Sequence, residues 1–347
     1  MATIKDVAKK AGVSIGVVSK AFNNYPDISE KTKKRVFEVA KELDYSPNLV
    51  AKNLSSKKQK TIALIASGYF DSGIKDNNNS YQVFKGVYAA VEQNQYELAI
   101  YLIDSMKQKE KTYAQFCKER NIGGVVLVGI RMDDPYFKEL LDSKIPCVVL
   151  DAKPENDSEI IGVVSTDNIA ASKEMTEYLL KRHHHDLVIV AGKKETWVNT
   201  ERLAGVKLAL EDSGIELADE QILNANFSES EAYEQTKELL KTKRPSAILC
   251  FSDLMALGAM NAVKESGLSI PDDVSITGFD GILVTEYTHP TITTIQQNFF
   301  EMGRQAALLL QKLIEGKATK KNVFVDYQLI ERDSVMNRKQ LFPKACK

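Results

Sequence analysis

A chain of 347 residues is too long for one typical hydrophobic core and calls for two or three domains. Its apolar and charged fractions, 44% and 27%, are those of an ordinary soluble protein, and no stretch approaches the roughly 18 apolar residues of a membrane span. The net charge of −1 hides a split: residues 1–60 carry 12 Lys and 1 Arg against 6 Asp or Glu, a net of +7, leaving −8 on the rest. A basic head on an acidic body is the footprint of a nucleic-acid-binding module attached to a separate domain. The polar, charged start of the chain has no secretory h-region, so a cytoplasmic location is expected. Cys117, Cys147, Cys250 and Cys346 are scattered singly, which fits reduced thiols and neither a disulfide framework nor a zinc site.

Taken in order, Thr3 to Asn24 holds two short helical patterns abutting at Gly12. Thr3 is a candidate N-cap with Asp6 three residues on, and Ile4, Val7, Ala8 and Ala11 share one face. Ser14 is placed to cap a second helix over residues 15–22, giving the layout of a helix-turn-helix, although by pattern alone an ordinary helical hairpin fits as well. After the turn Tyr25-Pro26-Asp27, Ser29 caps a third helix whose buried stripe is Val36, Val39, Ala40 and Leu43. Lys31, Lys33, Lys34 and Arg35 crowd its early turns, as a solvated face with a minority of phosphate contacts. Pro47 ends this module at residue 46. Residues 48–54 then suit a short helix that is marginal alone and needs a twin or DNA to order, followed by a polar linker to residue 60.

From Thr61 the pattern changes to short Val/Ile/Leu runs separated by amphipathic stretches: residues 61–67, 96–103, 124–129 and 147–151, then 187–192, 247–251 and 274–280. Such runs are strands buried on both faces, hence parallel α/β sheets, and two series imply two similar lobes. Ligands in this architecture bind beyond the carboxyl ends of the strands, where Ser67, Asp151, Ser252 and Asp280 stand.

With these elements in place, IKDVAKKAGVS, VSKAFNN and ISEKTKKRVFEVAKELDYSPN, followed by LSIPDDVSITGFD and PTITTIQQNFFEMG, resemble the LacI/GalR family of bacterial transcriptional regulators nearly end to end. The resemblance implies an all-α helix-turn-helix headpiece (1–46), a hinge helix and linker (47–60), an α/β two-lobed core like periplasmic binding proteins (61–332), and a tail (333–347). It places the N-lobe at about 61–163 and 294–321 and the C-lobe at about 164–293 and 322–332, joined by three crossovers. It further implies a homodimer on a pseudo-palindromic DNA operator, with a sugar or sugar-phosphate effector between the lobes. A protein co-regulator on the N-lobe stays open.

Residue by residue, the likeness puts Ile15, Gly16 and Lys20 at base edges, Ser14, Val17, Ser19 and Asn23 at neighbouring, mostly backbone contacts, and Ala51 and Leu54 in the minor groove. Thr3, Ser29 and Asn48 complete the expected DNA-contacting set. Three departures matter: Gly16 has no side chain to read bases, Val17 replaces a frequent threonine, and Lys20 replaces an arginine, exchanging a bidentate fork for a point charge. For the effector, Arg202 matches an arginine that grips sugar hydroxyls and Asp280 a carboxylate that accepts from them, with Ser67 and Asp151 opposite. Ser252 stands where asparagine is frequent and Gly281 where a second aspartate is frequent. Trp197, the one tryptophan, falls in a loop where it stacks on a sugar or simply packs; Tyr81, with Tyr69, flanks an Asn-rich loop at the pocket edge. His183, His184 and His185 lack ligand spacing, so neither a metal nor a cofactor is expected. Two other readings compete: an α/β enzyme using Asp151 and Asp280 on a glycoside, and a sugar-binding protein without a DNA function.

Overall fold

The structure, a computed structural model, describes residues 2–46, 61–67, 78–94, 96–103, 112–129, 139–140, 142–154 and 158–341. The chain forms two compact units, residues 1–59 and 60–347. The expected hinge residues Asn48, Ala51 and Leu54, the linker after them, and Tyr69 lie outside the described residues.

In the first unit, helices α1 (Ile4–Ala11), α2 (Ile15–Phe22) and α3 (Glu30–Glu42) begin and end where their caps dictate. Thr3 and Asp6 form a reciprocal capping box: Thr3 N donates to Asp6 Oδ2 at 2.8 Å and Asp6 N to Thr3 Oγ1 at 3.4 Å. Gly12 ends α1 in the left-handed region at φ 66°, and Ser14 accepts from Val17 N at 3.3 Å to start α2. Val7, Ala8, Ala11, Val18, Ala21, Val36, Val39 and Ala40 make the core, with Phe22 edge-on to Phe37 beside it. One basic residue departs from expectation. Lys33 is buried, its ammonium donating to Asn24 Oδ1 at 2.7 Å and Glu30 Oε1 at 2.8 Å, which leaves Lys31, Lys34 and Arg35 as the exposed cations of that run. Two acceptors offset the desolvation of its charge.

The second unit holds two six-stranded sheets. The first contains β1 (Thr61–Ser67), β2 (Glu97–Ile103), β3 (Ile122–Val128), β4 (Cys147–Leu150), β5 (Ile161–Thr166) and β11 (Asn322–Val325) in the parallel order β11-β5-β4-β3-β1-β2. Helices α4 (Asn78–Gln93), α5 (Tyr113–Glu119) and α10 (Phe299–Ile314) cover it. The second contains β6 (Leu187–Ala191), β7 (Ile222–Asn224), β8 (Ala247–Cys250), β9 (Ser275–Asp280), β10 (Thr293–Gln297) and β12 (Tyr327–Ile330), with only β10 and β12 antiparallel. Helices α6 (Asn168–Lys181), α7 (Trp197–Asp212), α8 (Glu229–Leu239) and α9 (Asp253–Glu265) belong to it. The strands are buried on both faces, as their unbroken apolar runs require.

Three crossovers join the lobes, each a single residue between elements of opposite lobes: Asp167, Asn298 and Asp326. The expected boundaries are therefore corrected. β5 runs to Thr166 within the first sheet, β10 belongs to the second, and β11, expected in the C-lobe, pairs with β5 in the first. Strand pairing decides lobe membership, and nothing in the apolar pattern of these short strands encodes the partner. The tail is corrected too: Ser334 Oγ donates to Ile276 O at 2.6 Å, and the Arg338 and Met336 amides bond to Arg182 O and Ser275 Oγ, so residues 333–341 finish the second lobe. That packing also explains His184, which is buried with a ring nitrogen 2.9 Å from Met336 O and whose pKa is lowered by burial. Among the described residues no helix is long and apolar enough to cross a membrane, and no group of three or more His, Cys, Asp or Glu could hold a metal ion.

Candidate functional site

Polar side chains converge where the crossovers meet the carboxyl ends of the strands. Asp151 follows β4 in the left-handed region, φ 52°, and accepts from Ser165 Oγ at 2.6 Å. Asn168, first residue of α6, donates to Ser165 Oγ at 3.1 Å and accepts from Arg202 Nε at 2.8 Å, so one amide links the two lobes. Arg202 comes from α7, 4% exposed; its guanidinium also donates to Phe251 O, lies 3.6 Å from the Phe279 ring centroid and reaches within 3.9 Å of Asp280 Oδ1. Gln297 at the end of β10 joins the crossovers, donating to Asp280 Oδ1 at 2.8 Å and accepting from Thr166 Oγ1 at 2.6 Å.

Behind Asp280 sits Asp253, fully buried at the start of α9. Its Oδ2 accepts from the Gly281 and Ile282 amides at 2.7 and 2.8 Å, and its Oδ1 from Thr294 Oγ1 at 2.6 Å. Burial first, and then the Asp280 charge, push its carboxyl up to about 8. Burial also raises Asp151, while the nearby carboxylates Asp280, Asp151 and Asp253 counter the fall that burial imposes on the Arg202 guanidinium. Among the described residues, Arg202 is the guanidinium that stands among these three carboxyl groups.

Gly281 explains the missing second aspartate. Its φ is 76°, and a Cβ there would lie 2.7 Å from Gln296 Cα, a backbone atom that cannot yield cheaply. Gly281→Ala is expected to cost about 2 kcal/mol or more of core stability through strain and overpacking, measured as a lowered urea midpoint. A stability equal to the parent would refute the steric account.

The expected effector residues divide. Arg202, Asp151 and Asp280 come together as described. Ser67 ends β1, though its side chain lies outside the described residues. Ser252 is buried but serves as the N-cap of α9, accepting from Met255 N at 3.2 Å. Trp197 opens α7 instead of lying in a loop and is half-buried, because Thr196 starts the helix directly before it. Tyr81 is on the exposed face of α4, its ring 5.6 Å from Lys85 Nζ, and the structure does not bring it into this group. Sequence reasoning missed Ser165, Thr166, Asn168, Asp253, Thr294 and Gln297. Of these, Asp253, Thr294 and Gln297 sit beside or inside segments named above, and their burial was the missing signal. A cavity of about 600 Å³ adjoins the group, sharing Gln297 and Gly281 and otherwise lined by Asn79, Gln82, Phe299, Tyr327 and neighbours; its size suits a small polar ligand.

In the first unit, Ser14, Ser29 and Thr3 are occupied as caps, and Asn23 donates to Ser19 O at 2.8 Å. Ile15 is exposed, and so is Lys20, which pairs with Asp27.

Residues 3–48 match the model of bacterial regulatory proteins of the lacI family, and residues 176–335 match a periplasmic binding protein-like domain. The chain is 31% identical over 338 residues to the HTH-type transcriptional regulator MalR of Clostridium butyricum, covering 96% of this chain and 99% of that one. It is 31% identical to the HTH-type transcriptional repressor PurR of Vibrio parahaemolyticus at the same coverage. Among solved structures, a lac repressor dimer bound to operator and the anti-inducer ONPF aligns with a TM-score of 0.80 at 25% identity, covering 96% of this chain and 99% of that one. A transcriptional regulator CelR–cellobiose complex aligns with a TM-score of 0.73 at 26% identity, covering 96% and 100%. A helix-turn-helix head, a two-lobed α/β core and these end-to-end likenesses agree: the chain belongs to the LacI family of DNA-binding transcriptional regulators.

Proposed function

We propose that this regulator is a homodimeric repressor of carbohydrate-utilisation genes, acting in the cytoplasm, whose operator affinity is switched by a neutral sugar bound at the Arg202–Asp280–Asp151 cluster. The observation that carries this is the cluster's composition. A guanidinium and carboxylates at the crossovers form charge-assisted hydrogen bonds with hydroxyls, and the carboxylates described there repel a phosphate. The cellobiose complex of a similar regulator supports a sugar, and the operator complex of a lac repressor supports a dimer. A sugar phosphate, compatible with the sequence alone, is the less favoured effector for the same electrostatic reason.

On DNA, Ile15, Gly16 and Lys20 of α2 face base edges, with Thr3, Ser14, Val17, Ser19, Asn23, Ser29 and Asn48 at the backbone and Ala51 and Leu54 in the minor groove. A ligand gripping residues tied to the crossovers favours one lobe arrangement, and operator affinity responds in proportion to its preference between two states. Glycoside hydrolysis has less support, since Asp151 is held by Ser165 and Asp280 by Gln297.

The test is selection of bound DNA from a random pool, repeated with neutral sugars and with sugar phosphates. A palindromic operator whose affinity changes with one neutral sugar is the expected result. A response to phosphorylated sugars alone would overturn the effector class, and binding of a sugar with no change in operator affinity would overturn the switch.

A further inference from the structure

Asp27 has no role in the function as set out above, and the fold does not require it. It lies in the turn after α2, and its carboxylate takes the Lys20 ammonium as an ion pair that is about half exposed on both sides, 48% and 51%. Exposed pairs of this kind add little to stability. The turn nevertheless fixes Asp27 firmly. Tyr25 N bonds to Lys20 O at 3.1 Å, Ile28 N to Tyr25 O at 3.4 Å, and Ile28 packs on the core of the unit.

We infer that Asp27 is a specificity-determining residue: together with Lys20 it reads a G·C base pair. The inference rests on α2 entering the major groove. On that helix Ile15 and Gly16 bring no hydrogen-bonding side chain, and Lys20 lies four residues after Gly16, on the same face. A free lysine is a flexible point charge that discriminates weakly among acceptors. Asp27 removes that freedom. It accepts from the ammonium, and no other hydrogen bond to Lys20 Nζ occurs among the described residues. The two remaining N–H donors suit guanine O6 and N7, and the carboxylate beside them is an acceptor for cytosine N4. Two donors followed by one acceptor match the acceptor–acceptor–donor order of the G·C edge, whereas A·T presents acceptor–donor–acceptor. Away from such a pair, the carboxylate faces a phosphate backbone that repels it, which weakens binding to unrelated sequences.

The experiment uses the full chain with Asp27→Asn, Asp27→Ala and Lys20→Ala, each checked by thermal unfolding against the parent. Base preference is read by selection from a random pool, and affinity for a random-sequence duplex is titrated with salt. Asp27→Asn is expected to unfold like the parent and to reduce the G·C preference at one position by about 10-fold, the position that Lys20→Ala also relaxes. It is also expected to tighten binding to the random duplex, with a log K against log salt slope steeper by about one. An unchanged preference at every position, or a change at a position that Lys20→Ala leaves intact, would overturn the assignment. Absence of duplex binding by the parent would instead refute the major-groove reading, so the two failures are told apart.

Discussion

Asp253→Ala is expected to cost about 2–6 kcal/mol of core stability, at about 1–3 kcal/mol for each buried backbone donor it leaves unpaired. The carboxyl group accepts from two backbone amides and one hydroxyl, and alanine leaves both amides unpaired in a site that water does not reach, while Thr294 Oγ1 keeps a long bond to Ile295 O at 3.4 Å. Gly278 strengthens the argument: a Cβ there would stand 2.0 Å from Asp253 Oδ1, so the strand has given up a side chain to admit this carboxyl group. Asp253→Asn tests the charge separately from the hydrogen bonds, since an amide oxygen still accepts from the two backbone donors and Thr294 can turn to accept from the amide nitrogen. The carboxyl is raised from 3.8 to about 8, so the folded chain holds a proton that the unfolded chain releases. Its contribution is therefore full below about pH 4 and lost as pH rises towards about 8. Urea unfolding of the parent should weaken across that window, and Asp253→Asn should flatten the profile. A parent whose stability rises over the same range, with the asparagine variant following it, would sink the assignment of a retained proton.

What the sequence disclosed follows from how local each signal is. Thr3, Gly12, Ser14 and Ser29 act on backbone groups within a turn of themselves, so the first two helices and the start of the third were legible, while the third ends at Glu42 and leaves Leu43 as a partly buried cap. The central strands were legible for the same reason, since burial on both faces writes a continuous apolar run. The crossovers were not. Gln297 shows its importance only when β10 is placed against β9 and Thr166 comes within hydrogen-bond reach, and those partners are 17 and 131 residues away. Lys33 was misread in a related way, and Ser252 has a local use beside its expected one. A serine before a helix and a lysine on a polar face each have a local use that competes with function, capping in the first case and an inward pairing in the second. Arg202 and Asp280 were legible through family resemblance; their shared neighbour Asp253 was not.

Arg202 carries the other large effect. Replacing it with alanine removes donors to Asn168 and Phe251 and a guanidinium beside Asp280 and Asp151, and leaves the Phe279 ring uncovered. Hydrogen bonds to charged groups contribute about 1.5–3 kcal/mol each, so losing those to a bound sugar should weaken its binding about 100-fold or more. The operator response should disappear with it, while operator binding without sugar persists, because the head folds on its own core. Stability also falls, since Asp280 and Asp151 lose a nearby positive charge, and the alanine variant alone would confuse the two effects. Arg202→Lys separates them. A lysine keeps a positive charge near Asp280 but cannot donate in a fork or stack its planar group on Phe279. It should recover most of the thermal stability and little of the sugar affinity, as read by calorimetry with the sugar that the selection identifies. If Arg202→Lys binds that sugar as tightly as the parent, Arg202 is a structural cation, and the effector is held by other groups in the cleft.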